Sequence, residues 1–87
     1  MANWMGGSCP AMAAQIAGGF MQPSATHMKG FLPAELQTLR FELEKLLRNV
    51  RAEVPPQDDA VAQQARNHRI SRLSSAIQVV QHQMTSR

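Results

Sequence analysis

Apolar side chains recur at every third or fourth position along two long stretches of the chain, the spacing that places them on one face of an α-helix. In the first stretch the stripe consists of Leu36, Leu39, Leu43, Leu46 and Val50. In the second it consists of Ile70, Leu73, Ile77, Val80 and Met84. These are the a and d positions of a heptad, as in coiled coils. The spacing predicts two amphipathic helices, over about 33–53 and about 59–84. Phe41 lies opposite the first stripe, so it is either exposed or marks a second contact surface.

Residues that start and stop helices flank both stripes. Pro33 takes the first helical position, with Glu35 in the first turn. The pair Pro55–Pro56 cannot continue the first helix. Asp58 or Asp59 can cap the second helix, because an aspartate side chain accepts hydrogen bonds from the free amides of the first turn.

The link between the two predicted helices, VPPQ, is only a few residues long. Short connections place neighbouring helices side by side and antiparallel, so we predict an all-α fold in which residues 32–87 form an antiparallel helical hairpin. The conformational entropy lost on ordering two helices costs more free energy than the burial of apolar side chains along the single seam between them offsets. The hairpin is therefore expected to be completed as a four-helix bundle, by homodimerisation or by a larger protein partner. The second helix is also the longer, so its end needs a further neighbour.

The first 31 residues contain every glycine of the chain and most of its methionines. Glycine raises the entropy lost on ordering, and methionine fills irregular apolar gaps. We interpret residues 1–31 as a flexible Gly/Met-rich N-terminal arm, with a short helix from Pro10 that Gly18–Gly19 ends. The arm either stays unstructured or docks on another protein or on the chain's own helices, and its glycine content disfavours it as a third helix. Its candidate docking residues are Trp4, Met12, Ile16 and Phe20.

The formal net charge of +3 is unevenly distributed. Residues 66–72 contain three arginines and no carboxylate, namely Arg66, Arg69 and Arg72. Such residues either lie beside the apolar stripe, exposed to solvent, or orient an acidic partner. They also permit phosphate contact, so nucleic-acid binding through 66–72 is the alternative function. We prefer protein–protein interaction over nucleic-acid binding as the function, because the long stripe does not resemble a helix-turn-helix and no aromatic residue alternates with the arginines.

Patterns that would indicate catalysis or metal binding are missing from the sequence. His68 and His82 are about 21 Å apart on one predicted helix, at 1.5 Å per residue, and cannot share a metal. There is no nucleophile beside a base and no Gly-rich phosphate loop. Cys9 is the only cysteine, which rules out a disulfide within the chain. We expect no catalytic residue, no metal, no cofactor and no small-molecule substrate.

The expected location is cytoplasmic, without a membrane contact. No apolar tract approaches the roughly 20 residues of a transmembrane span. A signal peptide would begin with a basic region, and no basic residue precedes Lys29. The run LPAELQTL resembles helix starts of small helical antiactivators that sequester transcription regulators, but it is generic for a helix start and no function is inferred from it.

The expected function is a small non-enzymatic protein–protein interaction module, whether regulator, adaptor or assembly subunit, that acts through helix–helix contacts. The residues expected to carry association are Leu36, Leu39, Leu43, Leu46, Val50, Ile70, Leu73, Ile77 and Val80, with Arg66, Arg69 and Arg72 providing orientation.

Overall fold

The structure is a computed structural model that describes residues 7–85, apart from the side chains at positions 25 and 27. The described chain forms three helices and one isolated helical turn and contains no strand. The elements are α1 (Cys9–Ala17), the turn α2 (Ala25–Met28), α3 (Pro33–Ala52) and α4 (Ala60–Thr85). The all-α class predicted from the sequence is thus confirmed over residues 7–85. Trp4, which we expected to dock, lies outside the described residues.

Helix α3 begins and ends at the residues that its local chemistry favours. Pro33 is its first residue, and the Glu35 carboxylate accepts a hydrogen bond of 2.8 Å from the Leu32 N–H just before the helix. This bond satisfies one of the amides that a helix start leaves without a partner. At the other end, the Glu53 N–H donates to the Val50 carbonyl at 3.1 Å. The helix therefore closes one residue earlier than predicted.

Helix α4 is capped by one of the two predicted aspartates. The Asp59 carboxylate accepts from the Ala62 N–H at 3.0 Å, which is the expected N-cap contact. The Gln63 side-chain amide donates to the carbonyls of Pro56 and Gln57, both at 3.1 Å. These bonds fix the link from α3 to the first turn of α4.

One hydrophobic core joins α1, α3 and α4. The two long helices contribute completely buried side chains at Leu36, Leu39, Leu43, Leu73 and Val80. Helix α1 contributes Met12, Ala13 and Ile16, and the connection from α1 to α3 contributes Met28 and Phe31, all of them buried. The apolar seam between α3 and α4 is therefore covered by the N-terminal part of the same chain.

This cover differs from the sequence prediction, which disfavoured the N-terminal arm as a third helix because of its glycine content. Helix α1 itself contains no glycine. Gly18 and Gly19 follow it and end it, so they do not weaken its interior. The small side chain of Ala13 is fully buried and allows close approach to the long helices. A four-helix bundle completed by a second chain stays a prediction, and covering the seam no longer requires it.

The end of α1 requires glycine at position 19. Gly19 has a φ of +81°, in the left-handed region. Its N–H donates to the Ile16 carbonyl at 3.1 Å, and the Phe20 N–H donates to the Gln15 carbonyl at 2.9 Å. These two bonds form a Schellman motif. A Cβ added at Gly19 would also lie 3.3 Å from the guanidinium carbon of Arg72, so both the backbone conformation and the close approach favour glycine.

The variant Gly19→Ala is expected to lower the free energy of unfolding by about 1–2 kcal/mol, because alanine resists a left-handed conformation. Urea unfolding followed by far-UV circular dichroism measures this change. Gly30→Ala is the matched control, since its φ is not positive and an added Cβ meets nothing within 4 Å. The control is expected to be neutral or stabilising by up to about 1 kcal/mol. Equal losses in the two variants would show that Gly19 has no special backbone role.

Candidate functional site

Arg66 closes the C-terminal end of α3. Its Nε donates to the carbonyls of Val50 and Glu53 at 3.2 and 2.8 Å, and its Nη2 donates to the Arg51 carbonyl at 3.0 Å. A helix leaves its last carbonyls without internal partners, and a cation is favourable at that end of the helix dipole. Arg66 therefore acts as a cap supplied by the neighbouring helix, and its predicted role in orienting a partner stays a prediction.

Arg72 does the same for α1. Its Nε and Nη2 both donate to the carbonyl of Ala17, the last residue of α1, at 3.0 and 2.9 Å. Arg69, in contrast, forms a partly exposed ion pair with Glu53 at 3.3 Å. An exposed pair of this kind contributes at most about 1 kcal/mol. Two of the three arginines predicted to meet a partner are thus used inside the chain.

The apolar residues predicted to carry association also contact their own chain. Seven of the nine are buried, and Leu46 and Ile70 are half-buried against the core. A completely covered side chain cannot touch another molecule without rearrangement. In this structure the stripes form most of the contact between α3 and α4, and their role in association with a partner stays a prediction.

The residues predicted to dock the arm behave differently from one another. Met12 and Ile16 are buried against the long helices, so they dock on the chain itself. Phe20 does not dock, and its side chain is 84 % exposed. The reason is local, because the Schellman motif at Gly19 turns the chain away from the axis of α1 immediately before Phe20.

Cys9 is buried at the start of α1. Burial, with a smaller contribution from the negative charge of Glu42, raises the pKa of its thiol to about 11. The thiol therefore stays protonated at neutral pH, which makes it a poor nucleophile and metal ligand. Among the side chains that the structure describes, no three of histidine, cysteine, aspartate or glutamate are grouped closely enough to hold a metal ion.

No helix in the described part of the chain combines the length and the apolar character that crossing a membrane requires.

Two adjoining hollows lie between helix α4 and the segment 21–24 that follows α1. The larger has a volume of about 570 Å³ and is lined by Pro23, Ser24, Ser75, Gln78, Val79 and His82. The smaller, of about 50 Å³, shares three of these residues and extends to Ile16, Met21, Gln22, Arg72 and Ala76. We call them together the α4 groove. Its lining combines apolar side chains with hydroxyl, amide and imidazole groups and contains no carboxylate.

The α4 groove is the part of the site that sequence reasoning did not locate. The only sequence signal was the greater length of the second helix, whose end was expected to need another neighbour. One wall of the groove is the segment 21–24, which has no periodic pattern to place it in advance. Val79 lies beside the predicted stripe and is half-buried.

Outside the groove, the part of the chain that the structure describes exposes five large apolar side chains: Phe20, Leu32, Phe41, Val54 and Val61. Val54 stands between two shallow hollows at the α3–α4 link, with volumes of about 240 and 220 Å³. Both hollows are also lined by Glu53, Pro55 and Arg66. Single exposed apolar residues are common on protein surfaces, so their neighbours decide whether they matter.

Comparison of the chain with known proteins found no matching family model, no matching curated protein and no matching solved structure.

Proposed function

We propose that this chain is a small non-enzymatic protein–protein interaction module, a regulator, adaptor or assembly subunit. Its helices α3 and α4 form an antiparallel hairpin, and the α4 groove receives a helical segment of a partner protein. The observation that carries the proposal is an open groove with apolar walls beside a core that is already complete. Because α1 covers the seam of the hairpin, the groove is not needed to finish the fold.

The chemistry of the groove suits an amphipathic helix. Its apolar walls, which include Pro23 and Val79, can cover one apolar face of such a helix. Ser75, Gln78 and His82 extend over about two turns of α4, roughly 10 Å, and offer hydrogen-bonding groups along the rim. The groove is lined by one arginine and no carboxylate, so it does not require a strongly charged ligand.

The partner is a second copy of the chain or a larger protein. The sequence predicts a homodimer because the hairpin alone leaves its apolar seam uncovered, and α1 supplies cover for that seam. Self-association through the groove would therefore join two complete folds, so each copy should remain folded when the dimer dissociates.

Nucleic-acid binding through residues 66–72 has less support as a function. The donors of Arg66 and Arg72 are directed at carbonyls of the chain itself. Arg69 pairs with Glu53. A phosphate backbone would have to compete with these contacts.

The variant Ser75→Trp tests the proposed function, because Ser75 lines both parts of the groove and is itself exposed. An indole at this position is expected to fill the groove and prevent binding without disturbing the core. Sedimentation velocity over a hundredfold concentration range measures self-association. Capture from extracts of the native cell, quantified by mass spectrometry, measures binding of other proteins.

Ser71→Trp is the matched control, since Ser71 is an exposed serine one turn earlier on α4 and does not line the groove. Association that persists in the control and is lost in Ser75→Trp supports the proposal. If neither variant alters sedimentation or the captured proteins, the groove is not the interaction site.

A further inference from the structure

We infer that the outer face of helix α3 is a second docking surface, and that it binds an acidic segment of a partner protein with an apolar side chain placed over Phe41. The inference rests on the proposed function as an interaction module and names a different surface and the chemistry of its ligand. The α3 outer face consists of Gln37, Phe41, Lys45, Arg48 and Arg51, which follow one another at steps of three and four residues and are all exposed.

Phe41 is the apolar anchor of this face. Its side chain is 58 % exposed, whereas Leu39 and Leu43 on the opposite side of the helix are completely buried. The ring does not contribute to the core cluster. A hollow of about 210 Å³ lies beside it, between Gln37, Arg40 and Glu44. An apolar side chain of a ligand can therefore contact the ring and enter the hollow.

The carboxylates near this face already have cationic partners. Glu44 pairs with Arg40 at 2.7 Å, and Glu42 pairs with Lys45 at 3.9 Å. Glu53, beyond the end of α3, pairs with Arg69 at 3.3 Å. The carboxylates that could neutralise the α3 outer face are thus used elsewhere or bind its cations only loosely.

Arg48 and Arg51 remain as the cations open to a ligand. Within residues 7–85, neither side chain has a carboxylate within 4.0 Å. They lie in the last two turns of α3, where the helix dipole favours positive charge, and this alone explains the presence of two cations there. The dipole does not explain an exposed aromatic residue two turns earlier. An aromatic anchor together with arginines is the composition that dominates binding energy at protein interfaces.

A discrete acidic segment fits this face better than a phosphate backbone does. Glu42 and Glu44 lie between residues of this face in the sequence. Their carboxylates would repel a continuous line of phosphates but leave room for separate carboxylates of a ligand. The formal net charge of +3 is also modest for a nucleic-acid-binding chain. Phe41 and Arg48 are about 10 Å apart along the helix axis, at 1.5 Å per residue. The ligand should therefore present one apolar residue and, two helical turns away, a pair of carboxylates.

The test uses a fluorescein-labelled helical peptide with one leucine and two glutamates spaced in this way, and a second peptide in which glutamine replaces each glutamate. Fluorescence anisotropy at low and high salt measures binding to the full chain. The glutamate peptide is expected to bind, and the glutamine peptide is expected to bind at least about tenfold more weakly. Phe41→Ala should weaken binding at least about tenfold, as expected for an anchor residue. The double variant Arg48→Gln/Arg51→Gln should weaken it and reduce its salt dependence.

Phe20→Ala is the control, since Phe20 is an exposed phenylalanine outside the α3 outer face, and its binding should match that of the unaltered chain. Ser75→Trp, which fills the α4 groove, should also leave peptide binding unchanged. The proposal for the α4 groove and the inference for the α3 outer face can therefore be rejected independently. Equal binding of both peptides, no binding of either, or an unchanged affinity of Phe41→Ala would overturn the inference. Duplex DNA that binds more tightly than the glutamate peptide, and depends on Arg48 and Arg51, would overturn it in favour of nucleic acid.

Discussion

The variant Leu43→Asp is expected to unfold the chain at room temperature. Leu43 is completely buried in the middle of α3, and the described core contains no buried polar or charged residue that could pair with a carboxylate. Burying an unpaired charge or polar group, together with the lost apolar contacts, costs more than about 4 kcal/mol. The whole stability of a small domain is only about 5–15 kcal/mol. Loss of far-UV circular dichroism signal and of a cooperative urea transition measures the effect.

Phe41→Asp is the matched control for this prediction. It introduces the same charge two residues earlier on the same helix, at a side chain that is 58 % exposed. Its free energy of unfolding should change by less than about 1 kcal/mol, as for surface substitutions in general. Leu43→Ala gives an intermediate case, with an expected loss of about 2–5 kcal/mol. If Leu43→Asp and Phe41→Asp unfold to the same extent, the assignment of the two faces of α3 is wrong.

The two faces of α3 could be predicted because their causes are local. A period of three and four residues puts Leu36, Leu39 and Leu43 on one side, and no tertiary information is needed to separate them from Phe41. The helix boundaries were within one residue of the prediction for the same reason. Pro33 and Asp59 act on the turn that they belong to.

The role of the arginines could not be predicted from the helix that contains them. An antiparallel hairpin predicts that the start of α4 lies beside the end of α3, which places Arg66 in the right region. It does not predict that free carbonyls, rather than a partner's carboxylates, accept the donors of Arg66. For Arg72 the acceptor belongs to Ala17, 55 residues earlier in the chain. Only the docked position of α1 brings that carbonyl within reach.

The docking of α1 is also a tertiary effect. A helix of nine residues is too short to be stable alone in water, and this one carries no charged residue that would favour its isolated form. Its stability therefore comes from burying Met12, Ala13 and Ile16 on the long helices. Composition counts glycines over the whole segment, whereas the energy depends on where the glycines stand. The same limit applies to the α4 groove, because the segment that forms one wall is placed by the docking of α1.

The variant Ile16→Ala is accordingly expected to destabilise the whole molecule by about 2–4 kcal/mol. The side chain of Ile16 is 1 % exposed, and its truncation leaves a cavity over the α3–α4 seam. Alanine has a higher helix propensity than isoleucine, so a loss cannot arise from a weaker α1 helix. Urea unfolding at two protein concentrations measures the change, and hydrogen exchange should show the amides of α1 losing protection first.

The control for this variant is Phe20→Ala, which shortens another large apolar side chain of the same arm. Because Phe20 is 84 % exposed, its removal should change the free energy of unfolding by less than about 0.5 kcal/mol. The two variants also separate the two ways of covering the seam. If a second chain covered it in place of α1, Ile16→Ala would scarcely alter the unfolding midpoint. The midpoint of the unaltered chain would then rise with protein concentration, because dissociation would accompany unfolding. With α1 as the cover, the midpoint is independent of concentration and falls when Ile16 is shortened.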